Sequence, residues 1–219
     1  FGLVLAGCSG TSGTSFTGTA SKGPIANAEV TVYELNSDGT QGDRLGATVT
    51  GSDGSYTVSV DSAAGAVEVV VSGGSYEDEA TGQTVQLGEQ EQLRSMVSEV
   101  NQGDEIAVTA LTEIAAEHAN ENAEAGLSTA IENAKNQVAS QFGLGPNFDI
   151  CEVQPDDLTQ QGAASGQSAD YGAVLAGISQ VAQDQGASAS DVPELVQQMA
   201  RDYENGSFDG QNAAGETLQ

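Results

Sequence analysis

The sequence predicts an α+β protein in which a β-sandwich precedes an α-helical domain. Up to residue 97, short segments alternate apolar and polar residues, and turn residues separate them. From residue 110 onward, apolar residues recur at the spacing of amphipathic helices instead. We therefore divide the chain into an apolar N-terminal strand and tether over residues 1–15, a sandwich over 16–109 and a helical domain over 110–219.

The sandwich strands are predicted where the alternation is clearest. The predicted segments are 28–35, 45–50, 56–60 and 66–71, with weaker strands at 84–87 and 93–97. Residues 36–43 and 51–54 are rich in Asp, Asn, Ser and Gly and are predicted to be turns. Residues 9–15 contain only Gly, Ser and Thr, which is typical of a flexible tether.

Four helices are predicted in the C-terminal half. The first begins at Ala110 after Thr109, a residue type that caps helix N-termini. The others are predicted at 127–142, 170–185 and 191–203, and Asp191 is expected to cap the last of them.

Two motifs in the N-terminal half resemble a known family. Gly23-Pro-Ile-Ala-Asn-Ala-Glu-Val-Thr-Val32 and Thr50-Gly-Ser-Asp-Gly-Ser-Tyr56 are similar to the carboxypeptidase-regulatory-like module, and the resemblance covers about residues 16–87. It implies an immunoglobulin-like, transthyretin-like sandwich. Such modules usually act as structural spacers or adhesive units and carry no catalytic residues.

The C-terminal half resembles a helical domain that follows such sandwiches in bacterial surface lipoproteins. The similar stretches are 108–112, the connection from Phe148 to Pro155, and 202–210. This resemblance implies a location at the bacterial cell surface or outside the cell more than it implies a chemistry.

The charge of the chain excludes some partners. Five basic residues stand against 32 acidic ones, which gives a formal net charge of -27. Such a field repels nucleic acids and anionic lipid headgroups. The longest apolar run is far shorter than the roughly 18 residues of a membrane-spanning helix, so no transmembrane segment is expected.

The apolar segment Phe1–Gly7 has two interpretations. Leu5-Ala-Gly-Cys8 resembles a bacterial lipobox, which implies a monomeric surface lipoprotein acylated at Cys8 that acts as a binding or spacer module. If the segment remains in the mature protein instead, it can complete the sandwich of a neighbouring copy as a donor strand and build a homopolymeric filament. The candidate assembly residues are Phe1, Leu3, Val4 and Leu5.

The two cysteines bear on this choice. In an oxidising compartment Cys8 and Cys151 are predicted to form a disulfide, since both are expected in surface segments. Acylation of Cys8 would leave Cys151 as a single thiol in an exported protein.

The sequence offers no catalytic constellation, so we do not expect an enzyme. His118 is the single histidine and is predicted to be a solvated helix residue. A zinc site needs several His or Cys ligands at fixed spacing, and no such set is present in the sequence.

Calcium is the one cofactor that the acidic turns suggest, because it binds carboxylate, amide and carbonyl oxygens. The first candidate cluster is Asp202, Glu204, Asn205 and Asp209, the second contains Asn36, Asp38 and Asp43, and the third is residues 77–79. Solvated acidic turns without a metal are the alternative. The expected function is therefore a structural subunit of an extracellular filament, with calcium as a possible ligand.

Overall fold

The computed structural model describes residues 13–60, 65–88, 91–145, 147–159 and 165–218, which form an α+β fold. The strands are β1 (Thr14–Ser21), β2 (Glu29–Leu35), β3 (Gln41–Val49), β4 (Ser55–Val60), β5 (Val67–Ser72), β6 (Ser75–Glu77), β7 (Thr84–Gln86), β8 (Leu93–Val97) and β9 (Val108–Thr109). The α-helices are α1 (Ala110–Glu121), α2 (Leu127–Gln141), α3 (Gln167–Asp184) and α4 (Val192–Asp202). This confirms the predicted α+β class.

The strands form three sheets. The largest has the order β3-β2-β5-β8, and all its neighbours are antiparallel. The second has the order β4-β1-β9, in which β1 runs antiparallel to β4 and parallel to β9. The third is the β6–β7 hairpin.

Burial follows from the position of each strand in its sheet. β4 alternates exposed and buried residues, as expected for a strand with one face in the core. β5 lies between β2 and β8, and its residues from Val67 to Val71 are all buried. One face of β5 contributes Val69 to the core, and the other face carries the buried Glu68. The α1 helix packs on β8, beside this second face.

The prediction from the sequence missed β1, β6 and β9 and shortened β3. Thr14 and Ser15 were assigned to the tether but lie in β1, where they pair with Val60 and Ser59. β3 begins at Gln41, four residues before the predicted start, because Gln41 and Arg44 pair with β2 despite their turn-like surroundings. The short β6 and β9 were not predicted, since two or three residues are too few for an alternating pattern.

The helices begin and end close to the predicted positions. Thr109 caps α1 as expected, and its hydroxyl accepts hydrogen bonds from the backbone N–H groups of Leu111 and Thr112. Asp191 does not cap α4 through its side chain. Its carboxylate instead accepts hydrogen bonds from the backbone N–H and the hydroxyl of Ser188, one turn earlier.

Strands and helices share one connected cluster of buried apolar side chains. This cluster contains Phe16 of β1, Val69 of β5, Leu111 of α1, Ile131 of α2 and Leu175 of α3. The separation into a sandwich and a helical domain remains a prediction. In the described ranges, no helix combines the length and the apolar character that crossing a bilayer requires.

Candidate functional site

A buried lysine is the centre of one polar site in the interior. Lys22 follows β1 in a turn and is only 2% exposed. Its Nζ donates hydrogen bonds to Ser179 Oγ at 2.6 Å, to the carbonyl of Leu175 at 3.0 Å and to Glu79 Oε2 at 3.2 Å. Glu79 lies in the turn between β6 and β7, whereas Ser179 belongs to α3. The lysine therefore connects three distant parts of the chain.

Gly23 explains how Lys22 comes so close to the β6–β7 hairpin. Gly23 has φ +71°, which favours glycine, and a Cβ at this position would lie 2.6 Å from the backbone oxygen of Glu77. A side chain here would force the two segments apart. The glycine of the Gly23-Pro-Ile motif is thus required for the contact of its neighbour Lys22 with Glu79.

Burial changes the ionisation of this pair. Desolvation lowers the pKa of Lys22, although the nearby Glu79 opposes this effect. Desolvation also raises the pKa of Glu79, against the influence of Lys22. Each shift makes the neutral form of its group more accessible than it is in water, whereas the three hydrogen bonds that Nζ donates are those of the ammonium form.

Two more polar groups border the Lys22 site. Among the described residues, neither Tyr76 Oη nor Asp78 Oδ2 has a hydrogen-bond partner, and both are buried. The other oxygen of Asp78 accepts hydrogen bonds from the backbone and hydroxyl of Thr81. Burial acts to raise the pKa of Asp78, but the hydrogen bonds from Thr81 and the nearby polar groups of Ser179 and Lys22 hold the pKa below its ordinary value.

A second buried site joins β8 to α1. The Arg94 guanidinium lies 2.7 Å from Glu113 Oε1, contacts Glu117 and is 3.8 Å from Glu68. Glu113 is 1% exposed and also accepts the backbone N–H of Arg94 at 2.8 Å. Desolvation raises the pKa of Glu113, and the arginine opposes this by favouring the carboxylate. Glu113 of α1 therefore binds both the backbone and the charged side chain of Arg94 on the edge strand β8.

A third pair involves Lys135 on α2. Its Nζ lies 2.7 Å from Asp149 Oδ2 and 3.2 Å from Glu132 Oε1. Burial would lower the pKa of Lys135, but the surrounding acidic groups raise it overall, so this lysine stays charged. Lys135 and Cys151 line a polar cavity of about 340 Å³ together with Val97, Glu99, Asp104, Glu105, Ile106 and Glu152.

The helices expose an apolar groove of about 450 Å³, which we call the helical groove. It is lined by Phe142, Val174, Gly177, Ile178, Val181, Gln185, Leu195 and Met199. Val181 is 51% exposed there, and Phe208 packs edge-on against Phe142 beside it. Exposed apolar surface of this kind marks sites of interaction with other molecules.

The predicted assembly residues Phe1, Leu3, Val4 and Leu5 lie outside the described residues, as does Cys8. Cys151 is not in a surface segment as expected but is 1% exposed. Its Sγ lies 3.4 Å from Ser95 Oγ, and burial raises its pKa to about 12. The disulfide between Cys8 and Cys151 remains a prediction.

In the first calcium cluster the side-chain oxygens bind backbone N–H groups. Asp202 Oδ1 accepts from Asp209 and Gly210, at 3.0 and 2.8 Å. Glu204 Oε2 accepts from Ala213, Asn205 Oδ1 from Ser207, and Asp209 Oδ1 from Gln211. These bonds organise the C-terminal loop and leave other oxygens of the acids in solvent.

The second cluster is similar. Asp38 Oδ1 accepts hydrogen bonds from the backbone and hydroxyl of Thr40, whereas Asp43 lies exposed on β3. Across the parts of the chain that the structure describes, no three His, Cys, Asp or Glu side chains are arranged to hold a metal ion. Calcium binding remains a prediction.

His118 differs from its prediction, because it is buried rather than solvated. Its Nδ1 lies 2.8 Å from the carbonyl oxygen of Glu204, and its ring packs against Tyr203. The histidine therefore attaches α1 to the end of α4. This contact could not be predicted from a local sequence pattern, since the two residues are 86 positions apart.

Comparisons with known proteins add little to these observations. No protein-family model matches the sequence, and a search of curated proteins finds no match. Among solved structures, a 9R-lipoxygenase from Cyanothece PCC8801 is similar over 57% of this chain and 25% of that chain, at 17% identity and a TM-score of 0.25. The aligned region is thus a quarter of the lipoxygenase, and a similarity this low carries no argument about function.

Proposed function

We propose that the protein is a structural subunit of an extracellular bacterial filament or surface fibre. Subunits join when the apolar segment Phe1–Gly7 of one copy inserts its side chains into its neighbour, as a donor segment does, but into a groove between helices rather than along a sheet edge. The immunoglobulin-like sandwich that the sequence resembles is the spacer of each subunit, and the helices carry the surface that accepts the segment.

The helical groove is the observation that carries this proposal. It offers exposed apolar side chains on a protein whose formal net charge is -27. Two such molecules repel each other at long range, so a stable contact needs apolar groups that bring no further charge. The segment Phe1–Gly7 is uncharged and apolar, which matches the groove and makes it the occupant that we propose.

Buried polar contacts between the strands and the helices support a subunit that must resist mechanical force. Lys22 and Arg94 are two of its five basic residues, and each links the strand region to a helix: Lys22 contacts Ser179 of α3, and Arg94 contacts Glu113 of α1. Removing one partner of the Arg94–Glu113 pair leaves an uncompensated buried charge, which costs about 3–5 kcal/mol. These contacts oppose separation of the strands from the helices when a filament is pulled.

The proposal predicts that Leu5→Asp and Val181→Asp each abolish assembly without unfolding the monomer. Either change puts a carboxylate into the contact between segment and groove, where desolvation makes the charge unfavourable. Negative-stain microscopy and sedimentation measure filaments, and circular dichroism measures the fold. Leu158→Asp is the matched control, since Leu158 is also exposed but does not line the groove.

Normal filaments from both variants would refute insertion into the helical groove. Loss with Leu5→Asp alone would place the acceptor elsewhere, for example at the edge strand β3. The lipoprotein alternative makes a different prediction, because its mature chain begins at a lipidated Cys8 and lacks the segment altogether. Intact mass of the native protein separates these two cases.

A further inference from the structure

The Lys22 site brings a lysine amine and a carboxyl group together inside the protein. Nζ and Oε2 are 3.2 Å apart, and the two side chains are 2% and 8% exposed. Oε2 is bonded to Cδ, the carbon that an amine attacks, so the amine is already in hydrogen-bond contact with the carboxyl group it would react with. The phenol ring of Tyr76 lies 6.0 Å from the amine, and the site is closed to bulk water.

We propose that Lys22 and Glu79 form an intramolecular isopeptide bond, with release of one water molecule. Nζ attacks Cδ of the Glu79 carboxylic acid, so that an Nζ–Cδ bond forms and the Cδ–Oε2 bond breaks. One amine proton moves to Oε2, which already carries the acid proton and leaves as water. No oxidant, reductant or further reactant is needed.

Ser179 is placed to move that proton. Its Oγ accepts a hydrogen bond from Lys22 Nζ at 2.6 Å and donates one to Glu79 Oε2 at 3.2 Å. The hydroxyl can thus take a proton from the amine while it gives its own to the departing oxygen. Because Ser179 belongs to α3, the site is complete only after this helix has packed against the β6–β7 hairpin.

The protonation states of the pair fit this reaction. A free amine is the nucleophile, and a protonated carboxyl group is the electrophile, since a carboxylate repels attack and leaves poorly. Burial lowers the pKa of Lys22 and raises that of Glu79, so both reactive forms become accessible.

The Lys135 site provides an internal comparison. Lys135 Nζ lies closer to a carboxylate, 2.7 Å from Asp149, but Asp149 is 28% exposed and the lysine is held in its charged form. An ammonium group is not a nucleophile. We therefore expect the bond at Lys22 and not at Lys135.

The bond would cross-link the turn after β1 to the hairpin before β8. Its test uses the purified full chain, without any added reactant. The intact mass under denaturing conditions should be lower than the sequence mass by one water. Trypsin should fail to cut after Lys22, and the peptide that ends at Arg44 should be joined through Lys22 to the peptide from Leu45 to Arg94.

Variants make the test specific. Lys22→Arg and Glu79→Ala should each restore the full mass, whereas Lys135→Arg should retain the water loss. Ser179→Ala should slow the reaction, so that newly purified protein contains chains of full mass. Asp-Gly sequences can also lose water by forming a succinimide, and the peptide map separates that product because it leaves cleavage after Lys22 intact.

A full-length mass together with normal cleavage after Lys22 would overturn the proposal. A branched peptide that joins Lys22 to Asp78 instead of Glu79 would overturn the assignment of the electrophile. The wild-type peptide map is decisive even if a variant fails to fold. It is also independent of filament assembly, because the monomer either contains the bond or does not.

Discussion

At the scale of single residues, the most consequential side chains are the buried charges. Arg94 is the clearest example, since it compensates Glu113 and Glu68 and also contacts Glu117. Glu113 could not remain charged at 1% exposure without a cation beside it. The arginine thereby makes it possible to bury Glu113 in the interface between β8 and α1.

We predict that Arg94→Met lowers the free energy of unfolding by about 3–5 kcal/mol, because Glu113 loses its buried partner. Urea denaturation of the wild type and the variant measures the difference. Arg201→Met is the control, since Arg201 is exposed and bonds only the carbonyl of Gln197 among the described residues. It should change stability by no more than about 0.5 kcal/mol. Equal effects of the two substitutions would show that the Arg94 pairs contribute nothing.

These pairs could not be predicted from the sequence. A lysine or an arginine among acidic residues is normally a solvated side chain, and only the fold brings its partner near. Lys22 and Ser179 are 157 positions apart, and Arg94 and Glu113 are 19 apart. The acidic stretch 77–79 was singled out as a calcium cluster, yet the partner that the structure gives to Glu79 is a lysine.

At the scale of elements, the start of α1 is fixed by Thr109. Its hydroxyl accepts two backbone N–H groups and lies 2.7 Å from the Tyr171 hydroxyl on α3. Thr112 returns the contact by accepting the backbone N–H of Thr109. The end of the short strand β9 and the beginning of a helix are therefore organised by the same side chain.

Thr109→Ala should lower the free energy of unfolding by about 2 kcal/mol, the upper range for loss of a helix cap. Thr109→Ser keeps the hydroxyl and should recover most of this loss. Ser188→Ala, which removes a cap from an exposed turn, should cost less. Thermal or urea unfolding ranks the three variants. If Thr109→Ala destabilised the protein no more than Thr109→Ser does, the assigned role of the hydroxyl would be wrong.

Element boundaries were predictable where local chemistry decides them. Thr109 marks the start of α1, and the sequence predicted β8 with the bounds that it has in the structure. β1 was not predicted, because its residues become a strand by pairing with β4 rather than through a clear alternation of their own. The resemblance to an immunoglobulin-like sandwich predicted paired sheets, but the parallel contact between β1 and β9 depends on residues too far apart for a local pattern.

At the scale of the whole molecule, charge is poorly balanced. Lys22, Arg94 and Lys135 are used in internal pairs, and Arg44 pairs with Glu29 at the surface. Most of the 32 acidic residues must therefore be neutralised by ions from solution. Packing many copies into a filament increases this need, because the charges then lie within a few Debye lengths.

We predict that calcium raises the melting temperature relative to excess chelator. Binding to the native state stabilises it by mass action, by about 2.7 kcal/mol at a concentration 100 times the dissociation constant. The expected region is the loop with Asp202, Glu204, Asn205 and Asp209, followed by Asp38 and Asp43. Magnesium is the control, since it demands stricter geometry. Identical melting curves, with no metal found by elemental analysis, would contradict calcium binding and support the alternative, solvated acidic turns without a metal.

The parallel pairing of β1 with β9 has a consequence for how the chain folds. Ala20 lies beside Val108, so the second sheet cannot be completed until nearly ninety residues have been ordered between them. Closing a loop of that length lowers the conformational entropy before the stabilising contacts have formed. Folding is therefore slower than in a protein with local contacts. Because α1 begins directly after β9, its correct docking follows the same late event. During synthesis, β1 therefore cannot pair with β9 until β9 has left the ribosome.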